Sequence, residues 1–426
     1  MNSISRYKFI LHMTNVLKPI LIKIFPVQLL RKMKGKMISN GYEKLNQLDI
    51  IPYETGHYKK GVNLIGNIKA ETGLGQSCRL VASVLENTKI PISIYQYNQL
   101  GTQKLDDDSW DDKISEELPY DINLIHINPH ELGITYLQME KSTWDYRYNI
   151  AYWLWELEEF PDEWVPCFHC LDEIWAPSEF ICDAIRKKTS LPVRCMPYHV
   201  EAPVRREFGR EDFKLPKDQF LFLMMYDHNS CMERKNPLGV LKAFKQAFKK
   251  ENDKVGLVIK INHPTPEDER NIREILKGYT NVYLIGETLD RDQVNSLTKC
   301  ADVVVSLHRA EGFGLVLAEA MLLGTPTIAT NWSSNVEFMN PEAGCMVDYK
   351  LVMLKEDLPP FKAGNRWADP DIGQAAGYMK KLYEDEEFYR EIAEKAKRYA
   401  EETLSMERAA SLMQDRLKEI YRELKR

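Results

Sequence analysis

The sequence predicts an α/β protein made of two doubly wound parallel domains, and three observations carry that expectation. The chain has 426 residues, beyond the size at which a single hydrophobic core stops growing, so two domains of about 200 residues are the default. From residue 61, short β-branched or aromatic runs alternate with longer stretches of helical period, the pattern of parallel strands joined by crossover helices. After the charged connector EAPVRREFGREDFKLPKDQ (201–219) the same alternation starts again.

In the first half, strands are expected at GVNLIG (61–66), PISIYQ (91–96), INLIHI (122–127), NIAYWLW (149–155), EIWAPS (173–178) and VRCMPY (193–198). Helices are expected from Leu74 and over 162–170 and 178–188. In the second half, strands are expected at FLFLMM (220–225), VGLVIK (255–260), NVYLIG (281–286), ADVVVSL (301–307) and PTIAT (326–330). Helices there should cover Pro237 to Lys250, 266–277, 290–299 and a stretch from Phe313. The tail beyond 370 is charged, with apolar residues recurring at three and four, so it should be helical.

Apolar residues at 44% and charged residues at 28% describe an ordinary soluble globular chain, and a net charge of −6 gives no reason to expect nucleic acid as a partner. Residues 1–42 hold eight Lys or Arg and no Asp or Glu. Lys18, Pro19, Lys23 and Pro26 interrupt their apolar run, which excludes a membrane-spanning helix, and no small-residue cleavage site follows. Two readings stand: peripheral contact of a basic amphipathic segment with an anionic membrane, or packing on the first domain. The eight cysteines are scattered, which points to a reducing, cytoplasmic setting. Cys167, His169 and Cys170 lack a second ligand pair at zinc spacing, so CFHC reads as a helix face. LDDDSWDD (105–112) follows no apolar strand and reads as a solvated acidic loop.

The chemistry concentrates in HRAEGFGLVLAEAMLLGTPTIAT (308–330). ADVVVSL is a buried strand, HRAEGFG the loop at its carboxyl end, and LVLAEAMLLG a helix closed by Gly324 and Pro326. Parallel sheets bind ligands at the carboxyl ends of their strands. The unsatisfied N–H groups around Phe313, Gly314 and Leu315 therefore form an anion site. Glu311 lies in the loop and Glu319 about five residues inside the helix, two carboxylates at different depths beside that site. The competing reading leaves Glu319 facing solvent.

EGFGLVLAE, followed by AMLLGTPTIATNWSSNVEFM, resembles the E-x7-E signature of retaining glycosyltransferase family 4. YWLWELEEFPDEW (152–164), DEIWAPSEFICDAI (172–185), MPYHVE (196–201) and SCMERKNPLGVLKAFKQAF (230–248) extend the resemblance to its bacterial polysaccharide and mannosyltransferase-like branch. It implies the GT-B architecture: two Rossmann-like domains facing across a cleft, with a C-terminal helix returning to the first domain. The expected division is an extension over 1–44, an acceptor-side domain over 45–205, a nucleotide-sugar domain over 206–385, and helices over 386–426 crossing back.

The resemblance implies that Glu319 binds the ribose of a nucleotide sugar and Glu311 the transferred sugar, while the amides of Phe313, Gly314 and Leu315 hold sugar and phosphate. Arg234 and Lys235 match the basic diphosphate position. A further arginine common among relatives is replaced by YDHNS (226–230), which leaves Lys260, at the end of the next strand, as a substitute. Gly73 and Gly75, in GNIKAETGLGQSCRL (66–80), match a loop that closes over donor phosphate and acceptor, though such a turn also serves strand–helix packing. His126, Asn128 and His130 surround the position of a donor-sugar histidine, with a core or capping role as the alternative. Base contacts are expected at IGETL (285–289), including Thr288. No metal and no cofactor is expected beyond a UDP- or GDP-hexose donor. The implied reaction moves that hexose to a glycan or lipid-linked acceptor in cell-surface polysaccharide or glycoconjugate assembly. A nucleotide-sugar epimerase of the same fold and a non-catalytic subunit of a polysaccharide-assembly complex are the rivals.

Overall fold

Residues 48–97, 105–228 and 230–424 are described by a computed structural model, together with Met13, Leu17, Phe25, Leu29, Leu30 and Leu45. The basic extension, and the membrane contact expected of it, lies outside the described residues apart from those isolated positions. Among the described residues no helix is long and apolar enough to cross a membrane.

The chain forms two compact units, each around one parallel sheet. The first contains the described residues up to Leu154, Glu159–His199 and the chain from Met406 onward. Its strands are β1 (Lys59–Gly66), β2 (Ile92–Gln96), β3 (Tyr120–His126), β4 (Tyr148–Tyr152), β5 (Glu173–Ala176) and β6 (Val193–Cys195). They pair in the order β2-β1-β3-β4-β5-β6, all parallel. Near-continuous burial, as in β3 and β5, is what helices on both faces of a parallel sheet impose. The crossovers include α1 (Gly73–Asn87), α2 (Pro129–Gln138) and α3 (Glu179–Arg186). The segment Asp162–Cys170, expected as an α-helix, is a 3₁₀ helix because Pro166 inside it withholds a backbone donor. Its Cys167 and Cys170 are buried and His169 is exposed.

The second unit contains Val200–Ser405 and a short piece of the earlier chain, Trp155–Glu158. Its strands are β7 (Phe220–Asp227), β8 (Val255–Asn262), β9 (Val282–Ile285), β10 (Val303–Ser306), β11 (Thr327–Thr330) and β12 (Cys345–Val347). They lie in the order β12-β11-β10-β7-β8-β9, again all parallel. The strand order reverses between β7 and β10, the switch point at which such sheets open a crevice for ligands. Its helices are α4 (Met232–Lys235), α5 (Pro237–Ala247), α6 (Pro266–Ile275), α7 (Arg291–Cys300), α8 (Leu315–Leu322), α9 (Ile372–Glu384) and α10 (Glu386–Thr403). Phe222, Phe244, Phe248, Leu257, Val303 and Met379 are at the centre of one apolar core. A hairpin of β13 (Tyr349–Met353) and β14 (Arg366–Pro370), absent from the expected elements, follows the sheet.

The helices expected over 386–426 divide between the units. α10 packs on α8 in the second unit, whereas α11 (Met406–Glu423) packs on α1 in the first. Arg416 on α11 reaches Glu173 at the start of β5, with Nε 2.9 Å from Oε1 and Nη2 2.6 Å from Oε2. Both side chains are buried, and the Trp175 indole and Tyr148 hydroxyl donate to the same carboxylate. A buried ion pair repays its desolvation only when its remaining hydrogen bonds are filled in this way.

Candidate active site

At the switch point of the second unit, β7 leads into α4 and β10 into the loop before α8. α4 ends at Asn236, whose backbone is left-handed at φ 52°. Its side chain donates to the Leu307 carbonyl at 2.8 Å and accepts from the Gly239 amide, capping α5. Asn tolerates this conformation because its short amide bonds locally. The result fastens the MERK turn to the end of β10, and Arg309 N–H donates to the Arg234 carbonyl at 2.8 Å.

That fastening brings three of the expected residues together. Lys235 Nζ lies 2.5 Å from Glu311 Oε1, and Arg234 Nη1 lies 3.2 Å from Glu311 Oε2. Glu311 and Arg234 are buried. Burial would lift the Glu311 carboxyl, but Lys235, Arg234 and His308 outweigh it and hold the carboxyl at about 2. Burial also depresses the Lys235 ammonium, with Glu311 acting against it. For Arg234 the desolvation is overcome by Glu311 and Glu156, which raise it. Arg234 donates further to the Ala310 carbonyl and the Ser230 hydroxyl. The Glu311 amide donates to Ser333 Oγ at 2.9 Å. The fully buried His308 presents Nε2 to the Trp332 carbonyl and to Asn335 Oδ1, two acceptors, which fixes the proton on that nitrogen.

The helix that follows has an open start. α8 begins after Gly314, at φ 96°, with no side-chain cap and no acidic residue in its first turn. Helix starts carry orphan N–H groups and a partial positive charge. Here Phe313 packs against Phe338, with ring centroids 5.0 Å apart and the rings tilted by 32°, while Gly314 and Leu315 are part-exposed. The geometry can therefore accept an anion at the backbone and a hydroxyl-bearing group at Glu311, with two cations adjacent.

Glu319 is 4% exposed, so it does not face solvent. Its Oε1 is bonded by Arg291 Nη2 at 2.5 Å. Lys260 is buried at the end of β8, where its ammonium donates to Asn262 Oδ1 at 2.5 Å. Thr288 is exposed in the loop between β9 and α7.

The first-unit candidates separate. His126 is buried, with its Nε2 2.6 Å from Ser77 Oγ, and Ser77 also bonds the Tyr198 hydroxyl. Burial pushes the His126 imidazole down to about 4, so it is a neutral core group at ordinary pH. Asn128 accepts from the Leu154 amide at 3.0 Å, fixing the turn after β3. His130 is exposed in the first turn of α2, beside Glu131 and Trp164. Gly75 has no room for a side chain, because a Cβ there would run into the Ala70 carbonyl, and its amide donates to the Thr72 cap. Gly73 is exposed and open. The acidic loop is not fully solvated: Asp111 pairs with Lys69 and Asp107 with Arg79.

Sequence reasoning missed Glu156, whose Oε1 lies 4.0 Å from Arg234 Nη2, and Arg291. For Glu156 the signal was its place in WELEE, between the end of one strand and a proline. Arg291 had no local signal, because its partner is 28 residues away.

No sequence among the curated proteins matches the chain. Residues 205–399 match the family Glycosyl transferases group 1. Among solved structures the fold is similar to that of Anabaena HepE in complex with UDP and glucose, at 13% identity and TM-score 0.59, covering 85% of this chain and 100% of that one. It is also similar to a glycosyltransferase from Rickettsia africae, at 15% identity and TM-score 0.60 over 86% and 99% of the two chains. Sucrose-phosphate synthase from Thermosynechococcus elongatus gives 14% identity and TM-score 0.62 over 86% and 99%. At these identities the likeness is one of fold. With a glycosyl transferases group 1 match across its second unit and two parallel-sheet Rossmann-like units of the GT-B kind, the chain is a glycosyltransferase of the GT-B superfamily.

Proposed function

We propose that the protein transfers a hexose, with retention of anomeric configuration, from a UDP- or GDP-hexose to a hydroxyl of a glycan or lipid-linked acceptor in cell-surface polysaccharide or glycoconjugate assembly. One observation carries this reading: the buried Glu311 is clamped between Arg234 and Lys235, in the loop just before the uncapped start of α8. Departure of a nucleoside diphosphate leaves negative charge that fixed donors must stabilise. Arg234, Lys235 and the amides around Phe313, Gly314 and Leu315 are suited to that work without a metal.

Glu311 would hold hydroxyls of the transferred sugar, Glu319 the ribose, and the exposed loop containing Thr288 the base. Lys260, buried near the end of β8, would substitute for the arginine that YDHNS replaces. Of the first-unit candidates, His130 is an exposed imidazole next to the turn held by Asn128, and Gly73 is open. The route is front-face attack, in which the leaving phosphate takes the acceptor proton and the enzyme orients and stabilises. HepE's complex with UDP and glucose makes UDP-glucose the first donor to try.

The test is a binding and turnover panel of UDP, GDP and their hexoses on the full chain, with Lys235→Ala beside it. Binding of one nucleotide series, weakened in the variant, together with acceptor-dependent release of diphosphate, is the expected result. Donor isomerisation without acceptor would replace the reading with an epimerase, and no binding at all would replace it with a non-catalytic subunit.

A further inference from the structure

Arg291 is the first residue of α7, where the positive end of the helix dipole makes a cation unfavourable. The surrounding sequence does not choose it for capping, since Asp290 and Gln293 form the capping box by themselves. Its guanidinium instead reaches across to α8 and bonds Glu319, with side-chain exposures of 46% for Arg291 and 5% for Glu319. The buried carboxylate is thus answered from the solvent side, by a residue three positions after Thr288 in the exposed stretch Gly286, Glu287 and Thr288.

The contact is end-on. Nη2 meets Oε1 at 2.5 Å, and among the described residues no hydrogen bond reaches Glu319 Oε2. A bidentate guanidinium would have consumed both oxygens. Burial works to raise the Glu319 carboxyl, and Arg291 is the group that opposes it. Without that cation the carboxylate would be left uncompensated or protonated.

We propose that Arg291 is a positioning residue for nucleotide binding: it pins one oxygen of Glu319 and so presents the other to the ribose hydroxyls of a nucleoside diphosphate. This rests on the ribose role assigned to Glu319 above. Arg291 itself acts through Glu319 and takes no part in the transfer.

The experiment compares UDP and GDP with their 2′,3′-dideoxy forms by calorimetry on the full chain, in wild type, Arg291→Ala and Arg291→Lys. Wild type should prefer the ribose form of the nucleotide it accepts by about ten- to a hundredfold, the range for hydrogen bonds to a charged group. Arg291→Ala should lose most of that preference, its affinity for the dideoxy form staying at the wild-type value, and Arg291→Lys should keep part of it. A merely structural role would weaken both forms alike. The proposal is overturned if Arg291→Ala retains the ribose preference, or if it binds the ribose form more tightly, which would make Arg291 an occupant that the ribose displaces. The two failures are distinguishable, because absence of any ribose preference in the wild type removes the role of Glu319 itself. Arg291 is half exposed, so its variants should fold, and a melting curve for each checks this.

Discussion

At the end of β1 the chain turns into a helix whose start is closed: Thr72 caps it, Gly75 is packed against Ala70, and the nearby His126 is buried against Ser77. At the end of β10 the chain turns into a helix whose start is open: Gly314 has no side chain to offer, the first turn has no acid, and Glu311 is held between two cations. Both turns belong to parallel sheets with a reversal of strand order, so the topology supplies the same crevice twice. Side chains decide what each crevice can do. The first turn gives its Gly75 amide to its own Thr72 cap, whereas the first amides of the second helix meet no side-chain cap.

Breaking the second turn should have the largest effect. Glu311→Gln removes the counter-charge of two cations, one of them buried, and should lower kcat/KM for sugar transfer by about 10²- to 10³-fold, the size expected for a preorganised electrostatic contact. Breaking a buried ion pair costs about 3–5 kcal/mol, so its unfolding free energy in urea should fall as well.

The two turns should also separate by pH. The Glu311 carboxyl sits at about 2, below its ordinary 4.5, so the stability it adds is complete above 4.5 and is lost as pH falls toward 2. His126 sits at about 4, below 6.5, so its contribution is complete above 6.5 and is lost between 6.5 and 4. Each amounts to up to about 3 kcal/mol. Urea titrations from pH 7 to 3 should show His126→Gln flattening the upper part of the slope and Glu311→Gln the lower. The reverse assignment would break the comparison.

Gly75→Ala should destabilise by about 1–3 kcal/mol through overpacking and leave diphosphate affinity nearly unchanged. Gly314→Ala, forced into a left-handed backbone, should cost about 1 kcal/mol or a little more and weaken diphosphate binding too. The smallest effect should come from Thr72→Ala, a lost cap worth about 1 kcal/mol in a thermal melt.

The strands were readable because β-branched runs such as ADVVVSL leave little choice of period. Their ends were not: four of the eleven expected runs overshoot one end by two or more residues, as at 149–155, where β4 stops at Tyr152. α2 escaped notice because PHELGITYLQ mixes glycine with β-branched residues and has weak amphipathic contrast. The clamp on Glu311 was half legible, since MERKN and EGFG are each a local pattern, while the Asn236 bond that joins them spans 71 residues. The core reading of His126 stood only as an alternative, because what decides it is Ser77 and Tyr198, which lie 49 residues before it and far along the chain after it.

The bond from Arg416 to Glu173 spans 243 residues, and its consequence belongs to synthesis. As the chain leaves the ribosome, β5 is made with a carboxylate destined for complete burial, 243 residues before the cation that answers it. Until then the first sheet must leave Glu173 in contact with water. The second unit, whose contiguous part ends at Ser405, has all of its residues before α11 emerges. The first unit is therefore completed after the second, and a ribosome stalled with residues up to 405 released and 416 not yet made would carry a finished second unit and an unfinished first.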